Sequence, residues 1–280
     1  MDHQIRRSRG GHARTREGQH PLHARVPGLM QLLGARVVWR DRGLLVLDKP
    51  AGLPVLADRS GTPCLWDALK RGLEAERLRP LAVHRIDKGT SGLLLVALDA
   101  EVQRSLGAAF ESGGVGKWYA AIGHGVLPDG TLEIDLPLAP GRKSRWRVAG
   151  PRNAIVADRV HGRPGYRLAA TITDARAKAA RTRVRTVRRR GEDSLFCIRL
   201  LSGRTHQIRV HLAWIGSPLR GDHLYGRAGD HAQAAPRLAL HCHRLQLPEL
   251  ADGVTRPRTF RAPLPADFRA LLREGSSDLE

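Results

Sequence analysis

The sequence predicts an α+β domain with a large mixed, mainly antiparallel central sheet, whose flanking helices and loops form a cleft. Strand patterns outnumber helix patterns along the chain. The helices are few and scattered, and they do not alternate with strands as a βαβ fold requires. The chain has 280 residues, of which 41% are hydrophobic, so it can bury a substantial core.

Composition divides the chain into three parts. Residues 1–33 are rich in Arg, His and Gly and predict a basic, flexible N-terminal arm. This arm is either a disordered tail or a loose phosphate-binding extension. Residues 34–270 carry the strand and helix patterns and are predicted to form the folded, catalytic domain, and residues 271–280 a flexible tail.

The predicted domain opens with a β-hairpin. Val37 and Val38 lead into one strand, Asp41–Gly43 form a polar turn, and Leu44–Leu47 form the second strand. An extended loop is predicted after the hairpin from three turn-forming residues, Pro50, Gly52 and Pro54.

Two helices are predicted around the segment HRIDKGTSGLLLVAL. The first covers Thr62–Leu73, where leucines recur four residues apart; Thr62 is the expected cap and Pro63 suits the first turn. The second covers Ala100–Glu111, with Asp99 as its expected N-cap.

The second half of the chain is predicted to consist mainly of strands. Residues 139–180 are irregular and predict a long loop or insertion with a few strands. A third helix is expected at Arg204–Gly216, with Thr205 as its cap. Strands are predicted at Lys117–Gly125, Thr131–Leu138, Arg181–Arg190, Ser194–Leu201 and Arg237–Leu247.

Charge is the strongest compositional signal. The chain has 47 Lys and Arg against 27 Asp and Glu, a formal net charge of +20. This excess favours a polyanionic partner such as nucleic acid, although an Arg-rich codon bias would also produce it. Aromatic residues are only 4% of the chain, which argues against a surface made mainly of base-stacking platforms.

Cysteine usage and hydropathy exclude several classes of protein. Cys64, Cys197 and Cys242 are far apart and form no CxxC pair, which fits a reducing cytoplasm and not a disulfide or cysteine–zinc framework. His241 and His243 could suggest a metal, but surface or RNA-contacting histidines are favoured. No apolar run is long enough to cross a bilayer, so we expect a soluble protein without a secretory signal.

Asp87 is the first candidate for catalysis. It lies in a polar segment between two apolar runs, and therefore on a loop joined to a buried strand. Arg85 and Lys88 flank it and offer donors to an anion. The alternative is an ordinary turn carboxylate paired with its own neighbours.

A second polar segment opens the helix predicted at Arg204–Gly216. A helix start that carries several donors is a good site for a phosphate or nucleotide. Arg209 lies close to the apolar stripe of this helix, and a partly buried Arg needs a carboxylate partner. The alternative is a capped amphipathic helix with surface arginines. The candidate donors at its start are Arg204, Thr205, His206 and Gln207.

Tyr119 is the third candidate. It is one of three tyrosines, and on a strand it shares a face with Lys117. Taken alone, this tyrosine is better explained as a core or interface aromatic than as a catalytic residue.

These segments together resemble the RluA family of pseudouridine synthases. The resemblance runs from about residue 35 to 267 and is most specific in HRIDKGTSG and GRTHQIRVHL; LDKPAGLPV, KWYAAIGHG, RLALH and FRAPLPAD add support in the same order. It implies a pseudouridine synthase fold with a catalytic Asp and no metal or organic cofactor. It matches Asp87 to that Asp, Tyr119 to the family's strand tyrosine, Arg209 to the arginine paired with the Asp, and Arg85 to the arginine that displaces the target base.

The resemblance predicts an enzyme that converts specific uridines of structured RNA, either rRNA or tRNA, to pseudouridine. We expect RNA contacts from His84, Arg85, Lys49, Lys117, Arg204, Thr205, His206 and Gln207, and a cytoplasmic monomer. One alternative is a non-catalytic RNA-binding or ribosome-assembly protein that retains the cleft. Another is a hydrolase that uses Asp87 with His84 or His206 as base, although no metal-ligand spacing supports it.

Overall fold

The computed structural model describes residues 34–58, 61–226, 235–250 and 257–271. The predicted arm at 1–33 lies outside the described residues, as does the predicted tail at 271–280 except for its first residue, Leu271.

Within these residues, twelve strands form one large sheet and two more form a small one. The sheet order is β1-β2-β4-β13-β5-β12-β11-β6-β10-β9, with β3 beside β4 and β14 beside β13. The small sheet pairs β7 with β8. The strands are β1 Arg36–Arg40, β2 Leu44–Lys49, β3 Leu81–Ala82, β4 Ser91–Ala97, β5 Gly116–His124, β6 Thr131–Asp135, β7 Leu138–Pro140, β8 Trp146–Val148, β9 Ile155–Val160, β10 Arg163–Leu168, β11 Arg181–Arg190, β12 Asp193–Leu200, β13 Leu240–Leu247 and β14 Arg258–Arg261.

The sheet is mixed but mainly antiparallel. Only two of the described pairings, β10 with β6 and β13 with β4, run parallel. The predicted α+β class with a mixed, mainly antiparallel sheet is therefore confirmed.

The helices cover both faces of this sheet. They are α1 Leu65–Glu74, α2 Ala100–Glu111, α3 Gln207–Trp214 and α4 Ala266–Leu271. Buried residues of α2 and α3 belong to the largest core cluster, which also contains Tyr119 and Ala121 of β5. We call this side the front face. On the other side, the back face, α1 packs over β2 and β4, and Phe268 of α4 packs on Ala120 and Ile122.

Several predictions about local structure are confirmed. The hairpin forms between β1 and β2, which pair antiparallel. Helix α2 spans Ala100–Glu111, and the Asp99 carboxylate accepts hydrogen bonds from the backbone of Glu101 and Val102. Every residue of β4 is buried, as the apolar run predicted.

The predicted caps of two helices are wrong. Helix α1 begins at Leu65 with Cys64 at its N-cap, so Thr62 and Pro63 precede it. Helix α3 begins at Gln207, and its N-cap is His206 in the left-handed region at φ 56°. Neither N-cap residue makes a side-chain capping hydrogen bond, and at α1 the first backbone N–H groups donate to the carbonyls of Pro54 and Val55 instead.

The irregular stretch at 139–180 contains the few strands that were expected there, namely β8, β9 and β10. His241 differs from expectation, because it is 1% exposed and its Nδ1 lies 2.9 Å from the Ser91 hydroxyl. It is therefore not a surface histidine.

Candidate active site

A cleft of about 570 Å³ opens on the front face. Its walls come from the loop before β4, the end of α2, β5, and the turn that leads from β12 into α3. The lining residues include Arg85, Asp87, Lys117, Tyr119, Arg204, His206 and Arg209. The three segments that the sequence singled out thus meet in one cavity.

Asp87 lies on the loop between β3 and β4. Its carbonyl accepts a hydrogen bond from the backbone N–H of Thr90 at 3.0 Å, which closes a tight turn into the buried strand. The neighbouring Lys88 carbonyl accepts bonds from the backbone of Gly52 and from the ammonium of Lys49. The side chain of Asp87 is 19% exposed, so it reaches the cleft from a fixed backbone.

Arg209 joins Asp87 to a second carboxylate. Its Nη1 lies 3.2 Å from Asp87 Oδ2, while Nε and Nη2 each lie 2.8 Å from an oxygen of Asp222. Burial opposes the charge on Arg209, but the hydrogen bonds and charge of Asp222, and then Asp87, raise its pKa. A guanidinium between two carboxylates stays cationic, and its planar fork fixes their relative position.

Asp222 was missed by the sequence analysis. Its side chain is 1% exposed, and Oδ1 also accepts from the backbone of Leu224 and Tyr225. The signal was present, because a partly buried Arg209 demanded a carboxylate and Asp222 lies thirteen residues further along the chain. We count Asp222 as a positioning residue, since it acts through Arg209.

His206 lies between Asp87 and the hydroxyl group of Tyr225. The Tyr225 hydroxyl accepts from the Trp146 backbone at 2.8 Å and lies 2.7 Å from His206 Nδ1, to which it can donate its proton. Nε2 of His206 then carries the ring proton, 3.9 Å from Asp87 Oδ2. Burial lowers the pKa of His206, against the opposing charge of Asp87. A neutral imidazole thus faces the carboxylate.

Tyr119 lines the cleft from β5, beside Asp87. Its partner across the sheet is Cys242 of β13, and the tyrosine is 7% exposed. Burial, followed by the neighbouring Cys242 thiol, raises the pKa of Tyr119 well above its usual value. The phenol therefore stays protonated and presents a ring and a hydroxyl, not a phenolate.

Lys117, Phe110 and His84 form one wall of the cleft. The ammonium of Lys117 lies 5.4 Å from the centre of the Phe110 ring, and His84 stacks on the same ring at 4.7 Å. His84 Nε2 accepts from the Leu95 backbone at 2.8 Å, and burial lowers the pKa of His84 to about 3. With that nitrogen engaged, His84 is a poor general base, which weighs against the hydrolase alternative in the form that uses His84.

The other residues expected to contact RNA fall into two groups. Arg85, Arg204 and Thr205 are exposed, so their side chains can meet a ligand. Lys49 and Gln207 are buried and hydrogen-bond inside the protein, although Gln207 also lines the cleft, and RNA contact by either residue stays a prediction.

Lys49 is 0% exposed, and its ammonium donates to three backbone carbonyls, those of Pro50, Leu53 and Lys88. It therefore supports the loop that carries Asp87. Gln207 is 2% exposed, and its amide bonds to Ser202 and to the backbone and hydroxyl groups at the start of β11. Buried polar groups in proteins usually have their hydrogen bonds satisfied by partners of this kind inside the fold.

Two further observations concern the described part of the chain. None of its helices has the length and apolar character needed to cross a membrane. Its His, Cys, Asp and Glu side chains form no group of three or more that is placed to hold a metal ion.

Comparison with known proteins gives a consistent result. A family model described as RNA pseudouridylate synthase matches residues 43–214. The chain is 35% identical over 243 residues to an uncharacterized RNA pseudouridine synthase of Zymomonas mobilis, across 86% of this chain and 99% of that protein. It is also 35% identical over 260 residues to the ribosomal large subunit pseudouridine synthase D of Pseudomonas aeruginosa, across 87% of this chain and 72% of that protein.

A solved structure supports the fold independently. Human RNA pseudouridylate synthase domain containing 4 superposes with a TM-score of 0.70 at 22% identity, covering 89% of this chain and 96% of that one.

Proposed function

The chain belongs to the RluA family of RNA pseudouridylate synthases, and from that membership we propose that Asp87 is the carboxylate with which it isomerises uridine in RNA. The supporting observation is the pairing of Asp87 with Arg209, which is itself held by Asp222. An RNA-modifying isomerase needs such a fixed, charged carboxylate in a cleft. A retained but inactive cleft, the non-catalytic alternative, is not favoured.

The reaction sets requirements that this cleft meets. The bond from the ribose to N1 of uracil breaks, the base rotates, and a new bond forms from the ribose to C5. C5 then loses its proton and N1 gains one, so the product is an isomer of the substrate. A stacked uridine must first leave its helix and enter the cleft, which costs a few kcal/mol. We assign Arg85, exposed at the cleft rim, to fill the vacated space and hold phosphates.

Asp87 then acts on the flipped nucleoside. Arg209 and His206 both approach Oδ2, so we expect Oδ1 to meet the ribose or the base. The carboxylate either attacks one of them or stabilises the cationic sugar. The hydrogen bond from Arg209 holds the carboxylate in position in the cleft.

Tyr119 has a narrower role in this proposal. Its raised pKa favours a neutral phenol that stacks on the uracil or donates a hydrogen bond to it. Lys117 on the same face of β5 is placed to contact a phosphate or a uracil carbonyl.

The substrate is proposed to be a structured RNA, either rRNA or tRNA. The name of the Pseudomonas relative specifies the large ribosomal subunit, so large-subunit RNA is the first substrate to test. We propose that the protein acts as a monomer in the cytoplasm, where its three free cysteines stay reduced.

The test replaces Asp87 with Asn in the full chain. We expect pseudouridine formation in protein-free large-subunit RNA and in tRNA to be abolished while RNA affinity stays within threefold of the original. Asp67→Asn on the exposed surface of α1 is the matched control and keeps full activity. Turnover by Asp87→Asn would refute the assignment, and release of free uracil by the original enzyme would support the hydrolase alternative.

A further inference from the structure

We infer that the back face of the sheet, opposite the cleft, carries a second RNA-binding surface, which binds the phosphate backbone of a large folded RNA substrate. The inference deepens the proposed function, on which it rests for the identity of the partner. It assigns binding to residues that take no part in the cleft.

A row of side chains crosses five neighbouring strands on this face. Residues paired in register share a face of a sheet, so the pairings of β11, β12, β5, β13 and β14 define the row. Its members are Arg183, Arg199, Trp118, Arg244 and Arg261, each directly beside the next. We call it the arginine row.

The arginine row lies opposite the catalytic residues. Trp118 falls between Lys117 and Tyr119 on β5, and successive side chains of a strand point to opposite faces. Since both neighbours line the cleft, Trp118 and its row face away from it. At about 4.8 Å between strands, the four steps from Arg183 to Arg261 span roughly 19 Å.

Trp118 organises the middle of the row. The Arg244 guanidinium carbon lies 3.7 Å from the centre of its ring, and that of Arg199 lies 5.2 Å away. These two arginines come from the strands on either side of β5. A guanidinium stacked on an aromatic ring holds its N–H groups toward solvent in a preferred orientation.

In the described part of the chain, an acidic side chain neutralises one end of the row. Glu133 of β6 is fully buried and bonds to Arg181 and Arg183. Within the described residues, Arg199, Arg244 and Arg261 have no carboxylate partner, and Arg199 and Arg261 are exposed. Like charges directly opposite each other weaken a sheet. Two positive charges lie directly opposite each other in the pairs Arg183–Arg199 and Arg244–Arg261. Binding of an anionic ligand would reduce this repulsion.

The chemistry of the row fits RNA phosphates. The molecule carries a net charge of +20 and modifies RNA, so a polyanion is already its partner. Exposed Arg185 and Arg188 on β11 continue the positive surface toward the end of that strand. Because the row and the cleft lie on opposite faces, a short stem-loop in the cleft cannot reach the row. Only an RNA long enough to pass around the sheet can contact both.

The experiment compares two RNA probes with two double variants of the full chain. One probe is a short uridine-containing stem-loop and the other is protein-free large-subunit ribosomal RNA. The test variant is Arg199→Gln with Arg261→Gln, both exposed. The control variant is Arg71→Gln with Arg79→Gln, which removes the same charge from exposed sites at and after α1.

We expect the test variant to bind the long RNA on the order of tenfold more weakly at physiological salt, with the slope of log K against log salt reduced by about two. Its affinity for the stem-loop, and that of the control for both probes, stay within twofold of the original. Equal weakening by test and control would show a general charge effect and overturn the inference. So would an unchanged affinity for long RNA.

A third probe, vesicles containing phosphatidylserine, separates RNA from a lipid surface. If the test variant loses vesicle binding and keeps long-RNA binding, the row is a membrane contact and the inference fails. Failure of the catalytic proposal is a separate result, because it appears as activity in Asp87→Asn and does not depend on the affinity of the arginine row.

Discussion

Replacing Asp222 with Asn tests the hydrogen-bond network that holds Asp87, the proposed catalytic carboxylate. The Asp222 side chain is 1% exposed and receives two N–H groups of Arg209 at 2.8 Å each. The variant keeps the shape and the oxygen Oδ1, but it places an amide nitrogen against Arg209 Nε. It therefore removes one charge-assisted hydrogen bond and sets two donors facing each other.

The expected loss of stability follows from that geometry. Breaking a buried ion pair by removing one partner costs about 3–5 kcal/mol. Asp87 remains as a second carboxylate for Arg209, so we expect the lower end, about 3 kcal/mol. In a domain of this size each kcal/mol moves Tm by about 2–4 °C, so Tm should fall by about 6–12 °C.

Activity should fall through kcat and not through RNA binding. With Asp222 neutral, Arg209 is free to rotate toward Asp87, and the carboxylate no longer has a fixed direction. A displacement of about 1 Å in a catalytic group can cost 100-fold in rate. Single-turnover pseudouridine formation, measured below the new Tm with saturating RNA, gives this loss separately from Kd.

The control is Asp158→Asn, which breaks an exposed ion pair with Arg167 and should leave Tm close to that of the original, because exposed ion pairs contribute little to stability. If Asp222→Asn shifts Tm no more than this control and keeps its single-turnover rate, Asp222 does not position Arg209. If Asp222→Asn lowers Tm strongly but leaves the single-turnover rate unchanged, Asp222 contributes to stability and not to catalysis.

Three further predictions use the same measurements. Arg209→Lys replaces a fork by a point charge that cannot bridge two carboxylates, so the single-turnover rate should fall by about 100-fold with Kd unchanged; a raised Kd at normal rate would make Arg209 a phosphate contact. His211 is 0% exposed, and burial lowers its pKa to about 4. Between about pH 6.5 and pH 4, this histidine is therefore protonated in the unfolded chain but neutral in the folded chain. Stability should therefore fall as the pH drops from about 6.5 toward 4, by about 2 kcal/mol from this group at pH 5, and urea unfolding of His211→Gln should show a shallower pH dependence; an equally steep one contradicts the assignment. Gly92→Ala should prevent folding, because Gly92 has a φ of +106° and a Cβ there would lie 2.3 Å from a backbone oxygen of β13. In the control, Gly107→Ala on α2, the added Cβ meets nothing within 4 Å, so the free energy of unfolding should rise by about 0.5–1 kcal/mol. Similar circular dichroism and Tm for the two glycine variants would show that the close approach of β4 and β13 is not needed.

The sequence predicted the elements whose signals are local. The hairpin of β1 and β2 has a polar turn between two apolar runs, and Asp99 precedes an amphipathic stripe, so both follow from neighbouring residues. The start of α3 was placed wrongly because His206 adopts a left-handed conformation that its contact with Tyr225 supports. That contact joins residues nineteen positions apart, and no local pattern reports it.

The site was predictable in its residue types but not in its burial. Asp87, Tyr119 and Arg209 do line one cleft. Lys49 and Gln207 looked like RNA-binding donors because a charged or amide side chain usually faces solvent. Lys49 donates to the distant Lys88 carbonyl as well as to its neighbours, and Gln207 donates to the Arg181 carbonyl, so only the assembled fold shows that both side chains are buried with internal partners.

A single bulge relates the two faces of the sheet. Cys242 and Arg244 lie two residues apart on β13, and on a regular strand they would share a face. The register shifts between them, so Cys242 pairs with Tyr119 on the front while Arg244 pairs with Trp118 on the back. Without the extra residue, either the cleft would lose the buried neighbour of its tyrosine or the arginine row would lose its closest stacking contact. One strand thereby lines the cleft and carries part of the proposed second RNA surface.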